Sequence, residues 1–141
     1  MLNANGRWNR PGVYGCLYLA TSEDGALAER VKYAAKAALS GLPFGPHDLV
    51  SIDLTVTKHA LDLTDPMIQR RFGVSTAQVR ADGADAYELC RRTADLARAQ
   101  GDYVLFVPSS PLDGATNVII YPEVPPANCR LDAGPDRIPI P

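Results

Sequence analysis

The sequence has few of the residues that build metal sites or disulfide frameworks. Its 141 residues include three cysteines, an odd number with no C-x-x-C pair among them, and two histidines. Zinc sites need several cysteines or histidines at short spacings, and disulfide frameworks need cysteines in pairs. The sequence therefore predicts neither a metal site nor disulfides, and we expect a reducing compartment.

Long apolar runs and an excess of positive charge are also missing. No run approaches the roughly 20 residues of a membrane span, and the first residues lack the charged-then-apolar order of a signal peptide. The formal net charge is -2, so there is no broad cationic face of the kind that holds nucleic acid. We expect a cytoplasmic protein that binds neither membrane nor nucleic acid directly.

The glycine-rich nucleotide motifs are absent too. G-x-x-x-x-G-K-[ST] does not occur, and no G-x-G-x-x-G follows the first predicted strand. The chain therefore has neither a P-loop nor a Rossmann dinucleotide site. A bound nucleotide must be held by other residues.

The elements that are present alternate between strand and helix. Residues 13–20 favour a strand, and residues 21–39 have helical composition with Thr21 or Ser22 as the N-cap. Residues 48–57 alternate like a half-buried strand, with Val50, Ile52, Leu54 and Val56 on one face.

Two more helices and two more strands are predicted in the second half of the chain. They are a short helix near 67–72, a helix over 84–101 closed by Gly101, and strands at YVLFVPSS and NVIIYP. The length suits one domain. We expect an α+β (mixed α/β) fold with central β-sheets and flanking helices, over residues 1–121.

The last twenty residues, from Pro122, hold six of the twelve prolines. Proline removes a backbone donor and breaks helices, so residues 122–141 are predicted to be an extended tail that lies along the body.

The segment GRWNRPG, from Gly6 to Gly12, reads as a loop that displays two guanidinium groups. Arg7 and Arg10 suit a phosphate or carboxylate partner. The alternative is a solvated loop in which Trp8 covers a corner of the core.

Periodicity alone places Glu29 in solvent. It points away from the apolar stripe of its helix, beside Lys32 and Tyr33, and the stripe consists of Leu27, Val31, Ala34 and Ala38. Tyr18 in a strand and Ser109 and Ser110 after Pro108 likewise have ordinary structural roles as a core tyrosine and as turn residues.

The order of the motifs points further than any single residue. GRWN, then the YLA strand, ALAE, LDLTD, VPSS and NVIIYP follow one another from Gly6 to about Pro122. This order resembles the RES domain, the toxin of bacterial toxin–antitoxin pairs. The resemblance implies site residues at Arg7, Glu29 and Ser109, with Tyr18 as the strand tyrosine and Asn117 as a polar residue ahead of the last core strand.

The same resemblance implies a fold like that of ADP-ribosyltransferases and a reaction that destroys NAD. The bond between nicotinamide and ribose is broken by phosphorolysis or hydrolysis, with NAD as substrate, inorganic phosphate as a possible co-substrate, and no bound cofactor or metal. Arg7 would hold the pyrophosphate, Glu29 would stabilise the oxocarbenium-like transition state, and Tyr18, Ser109 and Asn117 would bind the substrate.

Two other functions stay open, and a protein partner is implied. One is a transferase that moves ADP-ribose to a macromolecule, and the other is a degenerate RES-like module that only binds. The resemblance implies an Xre-like antitoxin that covers the cleft and pairs with Arg7 and Arg10. The proline-rich tail would add a contact to that antitoxin or across a homodimer.

Overall fold

Six strands and four helices follow one another in residues 5–42 and 44–140, the part of the chain that the computed structural model describes. In chain order they are β1 (Leu17–Ala20), α1 (Glu23–Leu39), β2 (His47–Val56), β3 (Ala60–Asp62), α2 (Pro66–Phe72), α3 (Thr76–Arg80), α4 (Ala84–Ala99), β4 (Val104–Pro108), β5 (Thr116–Ile120) and β6 (Cys129–Ile140). The predicted mixed α/β domain with central sheets and flanking helices is confirmed.

The central sheet has four strands in the order β1-β5-β4-β3. β5 pairs antiparallel with β1 on one side and with β4 on the other, and β3 runs parallel to β4. The sequence did not predict β3, because three residues are too few to show a period of two. β1, near the start of the chain, is thus held by a strand that ends at Ile120.

One face of this sheet packs against the helices. α4 presents a buried stripe at i, i+3, i+4 and i+7, formed by Cys90, Thr93, Ala94 and Ala97. The sheet contributes alternate residues, Leu105 and Val107 of β4 and Ile119 of β5, to the same core. Gly101 (φ 87°) follows the helix in the left-handed region, as predicted for the residue that closes it.

The opposite face is covered by a two-stranded antiparallel ribbon of β2 and β6. Val104, Val118 and Ile120 of the sheet pack with Leu54 and Val56 of the ribbon. Residues 129–140, which the sequence predicts to be an extended tail, form the strand β6, so they complete the layer that covers this face.

An irregularity in the ribbon changes which side chains of β2 point inward. Val50 lies opposite Arg137 and Ile52 opposite Ala133, so Ser51 faces three residues of β6. Pro135 among them has no N–H, and the Ser51 hydroxyl instead accepts a hydrogen bond of 2.9 Å from the Asp136 N–H. The uniform alternation predicted for 48–57 is therefore wrong, and Val50 and Ile52 are exposed.

Two predictions for the first third of the chain also need correction. The strand predicted over 13–20 forms only over Leu17–Ala20, because the chain turns at Gly12 (φ 76°) and bends back in an Arg10–Tyr14 bridge. α1 has the predicted cap, Ser22, but its apolar stripe does not form core: Val31 is 67% exposed.

α3 was not predicted, although the sequence carries a signal for it. The Ser75 hydroxyl accepts from the Gln78 N–H, and the Gln78 side chain accepts from the Ser75 N–H. This reciprocal capping box, S-x-x-Q, marks a helix start. In the described residues no helix is long and apolar enough to cross a membrane.

We predict that Tyr121→Phe lowers the free energy of unfolding by about 1–3 kcal/mol, because the buried main-chain carbonyl of Trp8 loses its donor. The Tyr121 hydroxyl donates to that carbonyl at 2.7 Å. Urea denaturation measures the change. Tyr103→Phe, at a half-buried tyrosine of the same core, is the matched control with a change within about 0.5 kcal/mol. Equal stability of the two variants would contradict the prediction.

Candidate functional site

A narrow cleft lies between the N-terminal loop, one side of α1, the start of α4 and the ends of β4 and β5. Its enclosed volume is about 40 Å³, and Arg7, Tyr18, Glu29 and Asn117 are among its lining residues. Four of the five site residues that the resemblance implies thus meet in one place, although they are far apart in sequence.

The GRWN loop is fixed by hydrogen bonds to Tyr18 of β1 and from Tyr121, the residue that follows β5. The Trp8 N–H donates to the Tyr18 hydroxyl at 2.9 Å, and the Trp8 carbonyl accepts from Tyr121. The Gly6 N–H donates to the Asn9 side chain, and a Cβ on Gly6 would lie 2.5 Å from the Tyr18 hydroxyl. The motif therefore needs glycine at position 6. Burial raises the pKa of Tyr18 far above its ordinary value, so its hydroxyl stays neutral.

The guanidinium of Arg7 is bound mainly by the protein itself. Its Nη1 donates to the carbonyls of Val79 and Ala81 at 2.6 and 2.8 Å, and its Nη2 donates to Asp82 and Ser110. The side chain is 8% exposed. The sequence did not predict this structural role of Arg7, whose hydrogen bonds join the N-terminal loop to the end of α3. Arg10 lies outside the cleft lining and is paired with Glu88 and Asp95.

Glu29 projects from α1 into the cleft and is held there by Asn117 of β5. The Asn117 amide donates to Glu29 Oε1 at 2.7 Å. Asn117 is 7% exposed, and its own Oδ1 is buried with no hydrogen-bond partner among the described residues. A buried acceptor without a donor is unfavourable, so this oxygen favours a ligand that brings an N–H or O–H.

The polar side of α1 supplies further cleft residues that sequence reasoning did not choose. Glu29, Lys32, Tyr33 and Lys36 follow one another at i, i+3, i+4 and i+7, and all line the cleft. Lys36 donates to the Tyr87 hydroxyl at 2.7 Å. The i, i+3, i+4, i+7 spacing of these polar residues is the sequence pattern from which they could have been predicted to share one face of the helix. It also explains why Glu29 does not follow the apolar stripe.

Among the described residues, no group of three or more His, Cys, Asp or Glu is placed to hold a metal ion. The cleft offers instead lysine ammonium groups, one carboxylate, one unpaired amide oxygen and tyrosine rings. These groups suit a ligand with anionic, aromatic and hydrogen-bonding parts.

Comparison with known proteins identifies the family. The sequence profile of the RES domain matches residues 2–138. The chain belongs to the RES domain family. Among solved structures, a chain of the M. tuberculosis MbcT–MbcA toxin–antitoxin complex matches with a TM-score of 0.65 and 21% identity, covering 99% of this chain and 73% of that one. This likeness shows a shared fold. No curated protein matches the chain.

In this RES domain the two serines after Pro108 lie in different surroundings. Ser109, which the resemblance implies as the site serine, is 0% exposed, does not line the cleft, and its hydroxyl accepts from the Leu112 N–H at 3.3 Å. Ser110 does line the cleft, and its hydroxyl contacts both Arg7 and Lys32. The structure thus does not bring Ser109 together with the other site residues, because its side chain closes the turn after β4.

We predict that Arg7→Ala lowers the free energy of unfolding by about 1.5–3 kcal/mol, because the Val79 and Ala81 carbonyls lose a charged donor. Urea denaturation is the measurement. Arg70→Ala, at an exposed arginine of α2, is the control and should change stability by less than about 0.5 kcal/mol. An Arg7→Ala protein as stable as the control would show that the guanidinium has no structural task.

Proposed function

We propose that this RES domain is the toxin of a toxin–antitoxin pair and that it destroys NAD by breaking the bond between nicotinamide and ribose. Membership of the RES family and the fold shared with a chain of a toxin–antitoxin complex support the proposal. Phosphate or water forms the new bond to the ribose carbon, and the electrons of the broken bond go to the nicotinamide nitrogen. The products are nicotinamide and ADP-ribose-1″-phosphate or ADP-ribose.

The observation that carries the proposal is the carboxylate of Glu29, held by Asn117 in a cleft whose other charged lining residues are Arg7, Lys32 and Lys36. Glycosidic cleavage passes through an oxocarbenium-like state, which a fixed carboxylate stabilises. The hydrogen bond of 2.7 Å to Asn117 fixes Oε1 and leaves Oε2 for the ribose or the attacking group. Nicotinamide departs as a neutral molecule, so positioning and charge account for much of the rate.

The remaining cleft residues match other parts of NAD. The unpaired Oδ1 of Asn117 would accept from the carboxamide of nicotinamide or a ribose hydroxyl. Lys32 and Lys36 would attract the pyrophosphate, and the ring of Tyr33 offers flat apolar surface. The reaction as proposed uses these side chains and needs no resident cofactor.

Purified protein incubated with NAD, with and without phosphate, distinguishes the possible reactions. Nicotinamide with ADP-ribose-1″-phosphate indicates phosphorolysis, and nicotinamide with ADP-ribose indicates hydrolysis. A modified macromolecule would indicate the transferase. Unchanged NAD would contradict the proposal and favour a module that only binds.

We predict that Glu29→Gln reduces the rate of NAD loss by about 100-fold or more, because the amide keeps the shape of the side chain and removes its charge. Release of nicotinamide, followed by chromatography, is the measurement. Glu23→Gln, at an exposed position on the same helix, is the control and should keep the rate. Equal rates in the two variants would exclude Glu29 as the catalytic carboxylate.

We further propose that an Xre-like antitoxin covers the cleft. Arg10 lies outside the cleft lining and is paired with Glu88 and Asp95, so an acidic segment that covers the cleft would meet Lys36 and Lys32, of which Lys32 is itself paired with Asp82. The contact would place a carboxylate where the proposed substrate has phosphate.

We predict that co-expression with the neighbouring reading frames yields a stable complex with a helix-turn-helix protein, and that Lys32→Glu with Lys36→Glu weakens it through charge repulsion. Co-purification and growth of the host are the measurements, and the mass of the complex shows whether two copies of this chain assemble. Recovery of this chain alone, active and harmless to its host, would contradict the proposed toxin–antitoxin pair. It would not contradict the proposed cleavage of NAD.

A further inference from the structure

Two cations and two oxygen atoms meet at one end of the cleft. Asp82, in the connection between α3 and α4, accepts from Lys32 Nζ at 2.8 Å and from Arg7 Nη2 at 3.2 Å. The Ser110 hydroxyl contacts the same two groups, at 2.6 and 3.0 Å. An oxygen of Asp82 therefore bridges Lys32 and Arg7, as an oxygen of a phosphate group would.

The members of this cluster differ in how firmly they are held. The Arg7 side chain is 8% exposed and Lys32 is 22% exposed, whereas Asp82 is 69% exposed. Arg7 is fixed by two main-chain carbonyls, whereas among the described residues the Asp82 carboxylate has hydrogen bonds to Lys32 and Arg7 only. An exposed ion pair contributes little to stability, so Asp82 can leave the cluster at small cost while the cations stay.

The charge on Asp82 persists at neutral pH. The hydrogen bond from Lys32 holds the pKa of this carboxyl below its ordinary value. A ligand phosphate that approaches Lys32 and Arg7 meets a negative charge already in place. The Asp82 side chain is 69% exposed, so the carboxylate has room to turn into solvent.

We propose that Asp82 occupies a subsite for a phosphate or pyrophosphate group formed by Lys32 and Arg7, and that Asp82 competes with the ligand for that subsite. Binding of the anion displaces the Asp82 carboxylate toward solvent, to which this side chain is already 69% exposed. The inference deepens the proposed function, since NAD carries a pyrophosphate. The identity of the compound that carries the anion rests on the proposed function; the anion subsite itself does not.

The test is calorimetric titration of the full chain with inorganic pyrophosphate at fixed salt, without divalent metal ions. Asp82→Asn removes the competing charge and keeps the shape of the side chain, so it should bind pyrophosphate about two- to fivefold more tightly than the wild type. Lys32→Met should bind it more weakly. Asp132→Asn, which breaks the exposed Arg130–Asp132 pair on β6, is the matched control and should leave the affinity unchanged.

Other outcomes would overturn the proposal. Equal or weaker binding by Asp82→Asn would show that the carboxylate positions Lys32 rather than competes with the ligand. Unchanged binding by Lys32→Met, or no binding by any variant, would exclude the subsite. Because the probe contains no glycosidic bond, tighter binding by Asp82→Asn supports the subsite even if the protein leaves NAD intact.

Discussion

Burying the guanidinium of Arg7 commits its N–H groups to fixed acceptors, because a buried cation without partners is strongly unfavourable. The carbonyls of Val79 and Ala81 lie at the end of α3, where helix carbonyls lack partners and carry partial negative charge. A side chain from the start of the domain thus completes a helix more than seventy residues later. The positions of the GRWN loop and of α3 relative to each other depend on this contact, and the loop in turn forms one wall of the cleft.

The same contact helps to place the charges of the cleft. Arg7 cannot turn fully toward a ligand without leaving its main-chain acceptors, so its Nη2 is the part that faces Asp82 and Ser110. Lysines on α1 are free of this restriction. The buried Arg7 therefore fixes the position of one positive charge in the cleft, whereas the flexible lysine side chains can move their charges toward a ligand.

Helix caps and local composition predicted where most helices and strands lie. Hydrophobic periodicity was less successful at predicting which faces of those elements are buried. The Ser22 cap and the glycine after α4 mark real helix boundaries. The apolar stripe of α1 predicted a buried face that does not form. α4 and the β2–β6 ribbon already pack on the two faces of the sheet, so little core remains for α1. The order of the motifs selected five site residues, and four of them line the same cleft. No local pattern in the sequence predicts that Lys32, Asp82 and Ser110 meet, because they lie on three separate segments.

The order of strands in the central sheet also determines when the cleft can exist during synthesis. The only strand that pairs with β1 is β5, within the described residues, and β2 pairs with β6 at the far end of the chain. A nascent chain shorter than about 120 residues therefore lacks the support for β1, and Asn117 has not yet reached Glu29. Such long-range pairings form slowly. An interrupted translation product would therefore carry the GRWN loop without a site.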